Sequence, residues 1–279
     1  MSVVGRDAGS DMREADILAR NRRAWERLAA KGCAWTRPVG PELVSAARRG
    51  CLDAVRLTPT RSLPAGWLPS SLAGARVLCL ACGGGQQAPL MAAAGADVTV
   101  LDLTPAQLER DRLVAEREGL RLRLEQGHMG DLSRFADASF DLVFNPVSVT
   151  YIPDALPVFH ECFRVLAPGG GLLFAAPHPH IYIFHGGDWD RGVLRVANRL
   201  PFSSLDERGE EGSAAERDDR PVEHSHTLEA LIGGQLAAGF RITGFYEDVD
   251  GPDSDDPLCA YCPKYFATKA LKHSVSAAD

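Results

Sequence analysis

Arg76-Val-Leu-Cys-Leu-Ala-Cys-Gly-Gly-Gly-Gln-Gln87 reads as an apolar strand running straight into three glycines and the start of a helix. Val98-Thr-Val-Leu-Asp-Leu103 follows, a second apolar strand that closes on an acid. Strand, glycine turn, helix and strand in that order make a βαβ unit of the kind that holds a nucleoside. Glycines let a ligand lie against bare backbone, and the acid can grip a pair of sugar hydroxyls.

The rhythm continues outward from this unit. The pattern predicts a strand over 76–81, a helix over 86–94 and a strand over 97–102. Thr104-Pro105 opens a further helix, with a capping residue and Pro at its first position, that ends near Gly119. Strands follow over 121–126 and 140–145, then a helix from Pro153 to Leu166. A strand over 171–176 comes after the turn Pro168-Gly-Gly-Gly171. Alternating β and α with apolar strands means a parallel sheet covered on both faces. Residues 177–226 break the rhythm and carry His178-Pro-His180, Gly186-Gly187 and an acidic stretch from Asp206 to Asp219, read as a solvated loop. Thr227 then caps a helix to Gly239, a strand covers 241–247, an acidic turn holds Gly251-Pro252, and a last strand lies near 263–269. Upstream, Ile17, Leu18, Trp25 and Leu28 recur at helical spacing, and a second helix is expected around 41–50.

The 279 residues carry a formal net charge of -7, with 45% hydrophobic and 24% charged residues. That balance, with no Arg/Lys block, argues against a nucleic-acid partner. No apolar run reaches the roughly 20 residues of a membrane helix. Met1 to Ser10 lacks a basic segment followed by an apolar one, so no secretory signal is expected and the chain is placed in the cytoplasm. The seven cysteines read as reduced thiols. Cys79/Cys82 and Cys259/Cys262 both have Cys-x-x-Cys spacing, but a shared zinc site would dismantle the glycine turn, so no metal is expected.

With these motifs in order, the chain resembles a class I S-adenosylmethionine-dependent methyltransferase of the bacterial small-molecule type, over about residues 74–270. Ala81-Cys-Gly-Gly-Gly85 matches the family's first motif and Asp102 its acid after the second strand. Phe140-Asp-Leu-Val-Phe144 matches its fourth strand, and Val165-Leu-Ala-Pro-Gly-Gly-Gly-Leu-Leu173 the approach to its fifth. The stretch from Thr227 to Glu247 matches the tail of many small-molecule members.

The resemblance implies an α/β, Rossmann-like sheet of seven strands, parallel with one antiparallel strand, helices on both faces and a cap insertion. It divides the chain into an N-terminal helical lead-in or lid (1–73), a cofactor-binding core (74–176), the cap (177–226), the rest of the core (227–272) and a tail (273–279). It implies S-adenosyl-L-methionine as cofactor and a small-molecule substrate methylated on oxygen, nitrogen or activated carbon; the Ala/Arg/Gly-rich composition points to specialised metabolism. A cyclase of the same fold that binds the cofactor without transferring the methyl group is the alternative. The oligomeric state is left open, a homodimer included.

Residue by residue, Ala81, Cys82 and Gln87 belong to the cofactor loop. Gly83 and Gly85 admit the methionine part, and Asp102 accepts from both ribose hydroxyls. Leu103 and Gln107 flank the adenine, His128 and Met129 meet its edge, and Asn145 ends the fourth strand beside the sulfonium. The sequence departs from the family at three points: Cys79 replaces an acid, Ala81 a glycine, and His128 the acid that bonds the adenine amino group. A neutral His can accept that bond. A dinucleotide reading wants Gly-x-Gly-x-x-Gly, met only loosely because Ala88 holds the third position. The later Pro-Gly-Gly-Gly and the C-terminal stretch do not belong to it.

Asn145-Pro-Val-Ser148 half-matches the Asn-Pro-Pro-aromatic loop of amino-group methylating enzymes, and a plain turn closing the strand explains it equally. His178, His180 and His185 lie just past the fifth strand, where such sheets open. His178, nearest the strand end, is the first candidate for a base and Tyr151 the second. A loop histidine or a packing tyrosine is the competing reading. His224 and His226 are read as cap surface or pocket wall, and Trp25 as a lid or a core anchor.

Overall fold

Val77 and Cys79 pack on one face of the sheet while Leu78 and Leu80 pack on the other. The two-residue period of an extended chain therefore gives two cores, one on each side. The computed structural model describes residues 14–184, 186–189, 191–206, 220–251 and 254–273. The strands are β1 (Arg76–Leu80), β2 (Asp97–Asp102), β3 (Leu122–Gln126), β4 (Phe140–Asn145), β5 (Leu166–Pro177), β6 (Phe240–Asp248) and β7 (Tyr265–Lys272). They form one seven-stranded sheet in the order β3-β2-β1-β4-β5-β7-β6. β7 is antiparallel to both β5 and β6, and the pairs from β3 to β5 are parallel.

The helices are α1 (Glu14–Ala30), α2 (Pro41–Arg48), α3 (Gln87–Ala93), α4 (Pro105–Glu118), α5 (Leu156–Val165), the short α6 (Gly186–Trp189) and α7 (Gly234–Ala237). Residues of α2, α3 and α4 join Val77, Val98, Phe144 and Leu173 in one core. Val158, Phe159, Cys162 and Val165 of α5 join Leu78, Val143 and Phe174 in the other. Central strands buried on both sides must be apolar throughout, which is why β1, β2 and β4 read so clearly in the sequence. The edge strands β3 and β6 alternate in exposure instead.

Several boundaries differ from expectation for local reasons. Residues 149–151 form a separate 3-10 turn, and α5 starts only at Leu156, where the Leu156 amide donates to Asp154 Oδ1 at 2.9 Å. β5 begins at Leu166 and takes in the Pro-Gly-Gly-Gly run. Opposite it, the register jumps between Phe140 and Leu142. Gly169 has φ +81°, and a Cβ on Gly170 would meet Ala167 O at 2.9 Å and Asp141 O at 3.0 Å. The glycines thus build a bulge rather than a turn before the strand. Thr227 Oγ1 does accept from the Ala230 amide at 3.0 Å, but a π turn over Glu229–Gly233 leads into α7. Thr104 sits at the N-cap of α4 without a side-chain cap bond. The acidic stretch after Asp206, His185 and Met1 to Ser10 lie outside the described residues. Among those described, no helix is long and apolar enough to cross a membrane.

The chain turns from β1 toward β2 and β3 on one side and toward β4 and β5 on the other. That leaves a crevice at the carboxyl ends of β1 and β4. The N-terminal helix closes over it, with Leu18, Asn21 and Trp25 in the wall, and Asn21 makes the polar tie. Asn21, buried in α1, donates to Tyr151 O at 2.8 Å and Val222 O at 3.1 Å and accepts from the Val222 amide at 2.6 Å. One amide so ties the first helix to two segments far along the chain. Asn21→Ala strands all three backbone groups, each unmade bond costing about 1–3 kcal/mol. We expect a loss of about 2–4 kcal/mol in urea unfolding; a loss under ~0.5 kcal/mol would show that water replaces the clasp freely.

Candidate active site

Leu80 ends β1, and Ala81 then takes φ +47°, with its amide donating to Leu101 O at 2.7 Å. This left-handed residue is the one that stands where the family has glycine. Alanine holds the conformation at some strain. Gly83 leaves no room for a side chain: a Cβ would lie 2.7 Å from Gln107 Cβ and 2.9 Å from Asp102 Oδ2. Its amide instead donates to Asp102 Oδ2 at 2.9 Å. Asp102 Oδ1 accepts from the Thr104 amide at 2.8 Å.

Asp102 is only 8% exposed. Burial raises its carboxyl, and the amides of Thr104 and Gly83 pull it back. A carboxylate offers about four lone pairs, and the backbone fills two of them. The Thr104 hydroxyl also bonds to it, which leaves an acceptor position for a ligand hydroxyl on the cavity side.

That cavity has a volume of about 690 Å³ and its wall includes Ala81, Cys82, Gly83, Gln87, Asp102, Leu103, Gln107, His128 and Met129. Nine of the eleven residues expected around a cofactor are therefore brought together. Two polar atoms of this wall, Gln107 Oε1 and His128 Nε2, are buried without a protein partner. Such atoms are costly unless a ligand or solvent satisfies them. The Gly130 amide donates to His128 Nδ1 at 3.3 Å, which requires a lone pair there. Burial lowers the His128 pKa, so the ring is neutral and its proton sits on Nε2. His128 is thus a donor at Nε2, not the acceptor that the sequence suggests. Leu103 and Met129 supply apolar surface, and Cys82 is held as a thiol by a hydrogen bond with the free thiol of Cys79 and by burial.

Gly85 and Asn145 are not in the wall. Gly85 has φ +72° and packs its bare Cα on α4, where a Cβ would sit 2.7 Å from Arg110 O. It is needed for helix packing rather than for ligand approach. Asn145 is fully buried, and its Nδ2 donates to Leu80 O and Ser148 Oγ, both at 2.8 Å. It pins the ends of β1 and β4 together, and Pro146, Val147 and Ser148 face the cavity in its place.

His178 also turns away. Neighbours on extended backbone point to opposite sides, and Pro177 takes the cavity side. His178 Nε2 lies 2.9 Å from Glu247 Oε1, and its ring stacks on His180 at 4.9 Å. His180 in turn meets Cys262 Sγ at 3.3 Å. His226 Nε2 bonds to Val149 O at 3.0 Å, a structural role.

Tyr151 does line the cavity, edge-on to Trp25 at 5.2 Å, but burial raises its pKa well above the usual phenol value. It keeps its proton and is a hydrogen-bond donor or a wall, not a base. Sequence reasoning missed Tyr182, Glu223 and Tyr265 on the same side, and Trp35, Arg56 and Gln86 near the glycine turn. The one available signal is the aromatic content of 181–184, because residues so far apart share no spacing.

Beneath the turn lies a second unforeseen carboxyl. Asp111 of α4 is 0% exposed, and its Oδ2 accepts from the Gly84 amide at 3.1 Å. Burial pushes it up to about 8, with Asp102 adding and the amides of Gly85 and Gly84 opposing.

The comparisons with known proteins bear on the family and the fold. The family model described as a methyltransferase domain matches residues 78–174. An uncharacterized methyltransferase of Bacillus subtilis, YbaJ, is 39% identical over 257 residues, spanning 92% of this chain and 98% of the relative. A ubiquinone biosynthesis O-methyltransferase of Psychrobacter cryohalolentis is 30% identical over 158 residues, 53% of this chain and 62% of that one. Among solved structures, an S-adenosylmethionine dependent methyltransferase from Mesorhizobium loti superposes with TM-score 0.56 at 23% identity, covering 82% of this chain and 99% of that one. A Burkholderia thailandensis 1,6-didemethyltoxoflavin-N1-methyltransferase, solved with S-adenosylhomocysteine, gives 0.55 at 17% identity, covering 95% and 92%.

Asp111 makes the turn sensitive to pH. The folded chain keeps a proton at Asp111 that the unfolded chain releases near about pH 4. Stability therefore declines as pH rises from about 4 toward 8. Asp111→Asn keeps an acceptor for Gly84 and cannot ionise. We expect its melting temperature to fall less than the native one between about pH 5 and pH 8.5 in calorimetric scans; equal slopes would deny Asp111 that proton.

Proposed function

The chain belongs to the class I S-adenosylmethionine-dependent methyltransferases, and from that premise we propose that it methylates a nucleophilic oxygen, nitrogen or activated carbon of a small molecule held in the same cavity. The observation that carries this reading is Asp102, a buried carboxylate of the cavity wall anchored by the Gly83 and Thr104 amides and the Thr104 hydroxyl.

In this reading Asp102 holds the ribose by a charge-assisted bond. His128 donates from Nε2 to a ring nitrogen at the adenine edge, and Gln107 Oε1 offers an acceptor. Leu103 and Met129 enclose the flat ring, while Ala81, Cys82, Gly83 and Gln87 receive the methionine part. When bound, S-adenosyl-L-methionine supplies a methyl group on a positively charged sulfur, already activated toward a nucleophile. The residues' own task is then to align the acceptor and keep water out.

The wall opposite the glycine turn serves that task. Pro146, Val147, Pro177 and Ile181 are apolar, and Trp25 and Tyr151 come from elements clasped by Asn21. With Tyr151 and Tyr182 both held as phenols, Glu223 is the one carboxylate among the described residues on that side. A cavity of this size suits a small molecule rather than a polymer.

Asp102→Ala should weaken S-adenosylhomocysteine binding at least tenfold by calorimetry, about 1.4 kcal/mol, in a variant whose melt shows it folded. An unchanged Kd removes Asp102 from the role. Release of S-adenosylhomocysteine from S-adenosylmethionine, found by mass spectrometry with extracts of small metabolites, supports transfer. Methylthioadenosine or an unmethylated isomer opposes it.

A further inference from the structure

Thr104-Pro-Ala-Gln107 has the spacing of a capping box. In that motif the hydroxyl accepts from the amide three residues on, and the glutamine reaches back to the first amide. The chain does not form it. Thr104 makes no side-chain cap bond at the start of α4. Its amide donates to Asp102 Oδ1 at 2.8 Å, and its hydroxyl bonds to the same carboxyl. Asp102 has thus taken the amide that Gln107 would otherwise meet. Gln107 Oε1 is left buried without a protein partner, in a residue only 6% exposed.

Two glycines show where that oxygen sits. A Cβ on Gly83 would lie 2.7 Å from Gln107 Cβ and 2.9 Å from Asp102 Oδ2, so the two side chains flank one bare Cα. A Cβ on Gly84 would lie 3.5 Å from Gln107 Oε1. The unpartnered oxygen is therefore at the glycine turn, and both residues belong to the cavity wall. Asp102 is short of acceptor capacity there. It already receives the Gly83 amide, the Thr104 amide and the Thr104 hydroxyl. Out of about four lone-pair sites on a carboxylate, that leaves about one. A vicinal diol has two protons to place. An amide oxygen buried beside the acid supplies the missing acceptor, and it stays costly until a donor reaches it.

Resting on the methyl-transfer reading above, we infer that Gln107 is a second ribose-holding residue: one hydroxyl of the diol donates to Asp102 and the other to Gln107 Oε1. The ribose is then read by a carboxylate and an amide together, and a sugar lacking either hydroxyl leaves a buried acceptor unmet. The diversion of the capping box makes this possible, because the acid that grips one hydroxyl also releases the glutamine for the other.

The test measures binding to the full chain by calorimetry, with S-adenosylhomocysteine and its 2′-deoxy and 3′-deoxy analogues as probes. The native chain is expected to bind each analogue about tenfold or more weakly than the parent. Gln107→Met keeps the length and the apolar stem and removes the acceptor. It should weaken the parent about tenfold, weaken one deoxy analogue to the same degree, and leave the other within about twofold of its native Kd. The spared analogue identifies the hydroxyl that Gln107 holds. Equal weakening of all three probes overturns the inference and makes Gln107 a packing residue of the glycine turn. So does an unchanged Kd for the parent, which gives the oxygen to water. Gln107→Ala carries the same comparison if Gln107→Met does not fold. In the native chain, a deoxy analogue that binds as tightly as the parent overturns the inference by itself. If the native chain binds none of the three probes, the methyl-transfer reading fails, and this inference with it.

Discussion

Everything in the site depends on how closely the backbone of residues 81–85 approaches its neighbours. The Ala81 amide reaches Leu101 O, the Gly83 amide reaches Asp102, and the Gly84 amide reaches both Asp111 and Gln107 O. These bonds draw β1, β2 and α4 to one point, with only bare Cα atoms between them. A side chain at Gly83 or Gly85 would collide with α4. The turn is thus a wedge of backbone amides held by two buried carboxyls. One faces the cavity at Asp102, and one lies beneath it at Asp111. Because the two carboxyls are close, their charges oppose one another, and a proton on the inner one relieves the conflict.

The sheet supplies only half of the enclosure. The other half is assembled from α1, the 149–151 turn, the segment after β5, the strand of chain around Val222 and Glu223, and the first residue of β7. Asn21 joins three of these with hydrogen bonds that would otherwise need water in a buried place. A wall of this kind gives a rigid, aromatic chamber without any one element having to be long.

Where the residue-level reading of the sequence went astray, the cause was direction rather than position. His178 lies at the end of β5 as expected, but adjacent residues on extended chain point to opposite faces, and Pro177 holds the inner one. Asn145 lies at the end of β4, but Leu80 O and Ser148 Oγ take the protons of its Nδ2. His128 follows β3, but the Gly130 amide fixes which nitrogen carries the proton. Gly85 is required, but by Arg110 on α4 rather than by a ligand. Each correction rests on a contact between residues that no spacing rule connects.

The sequence by itself determined the order of strands and helices, the glycine turn after β1 and the acid after β2. Burial on both faces of a parallel sheet demands unbroken apolar strands, and a bare-backbone turn demands glycine. Both demands act locally and leave a mark in composition. The tertiary structure alone decided which side chains meet inside the cavity. Trp25, Tyr151, Tyr182, Glu223 and Tyr265 converge from across the chain. Their convergence is set by packing, hydrogen-bond competition and the two-sided geometry of strands, which depend on partners distant in sequence.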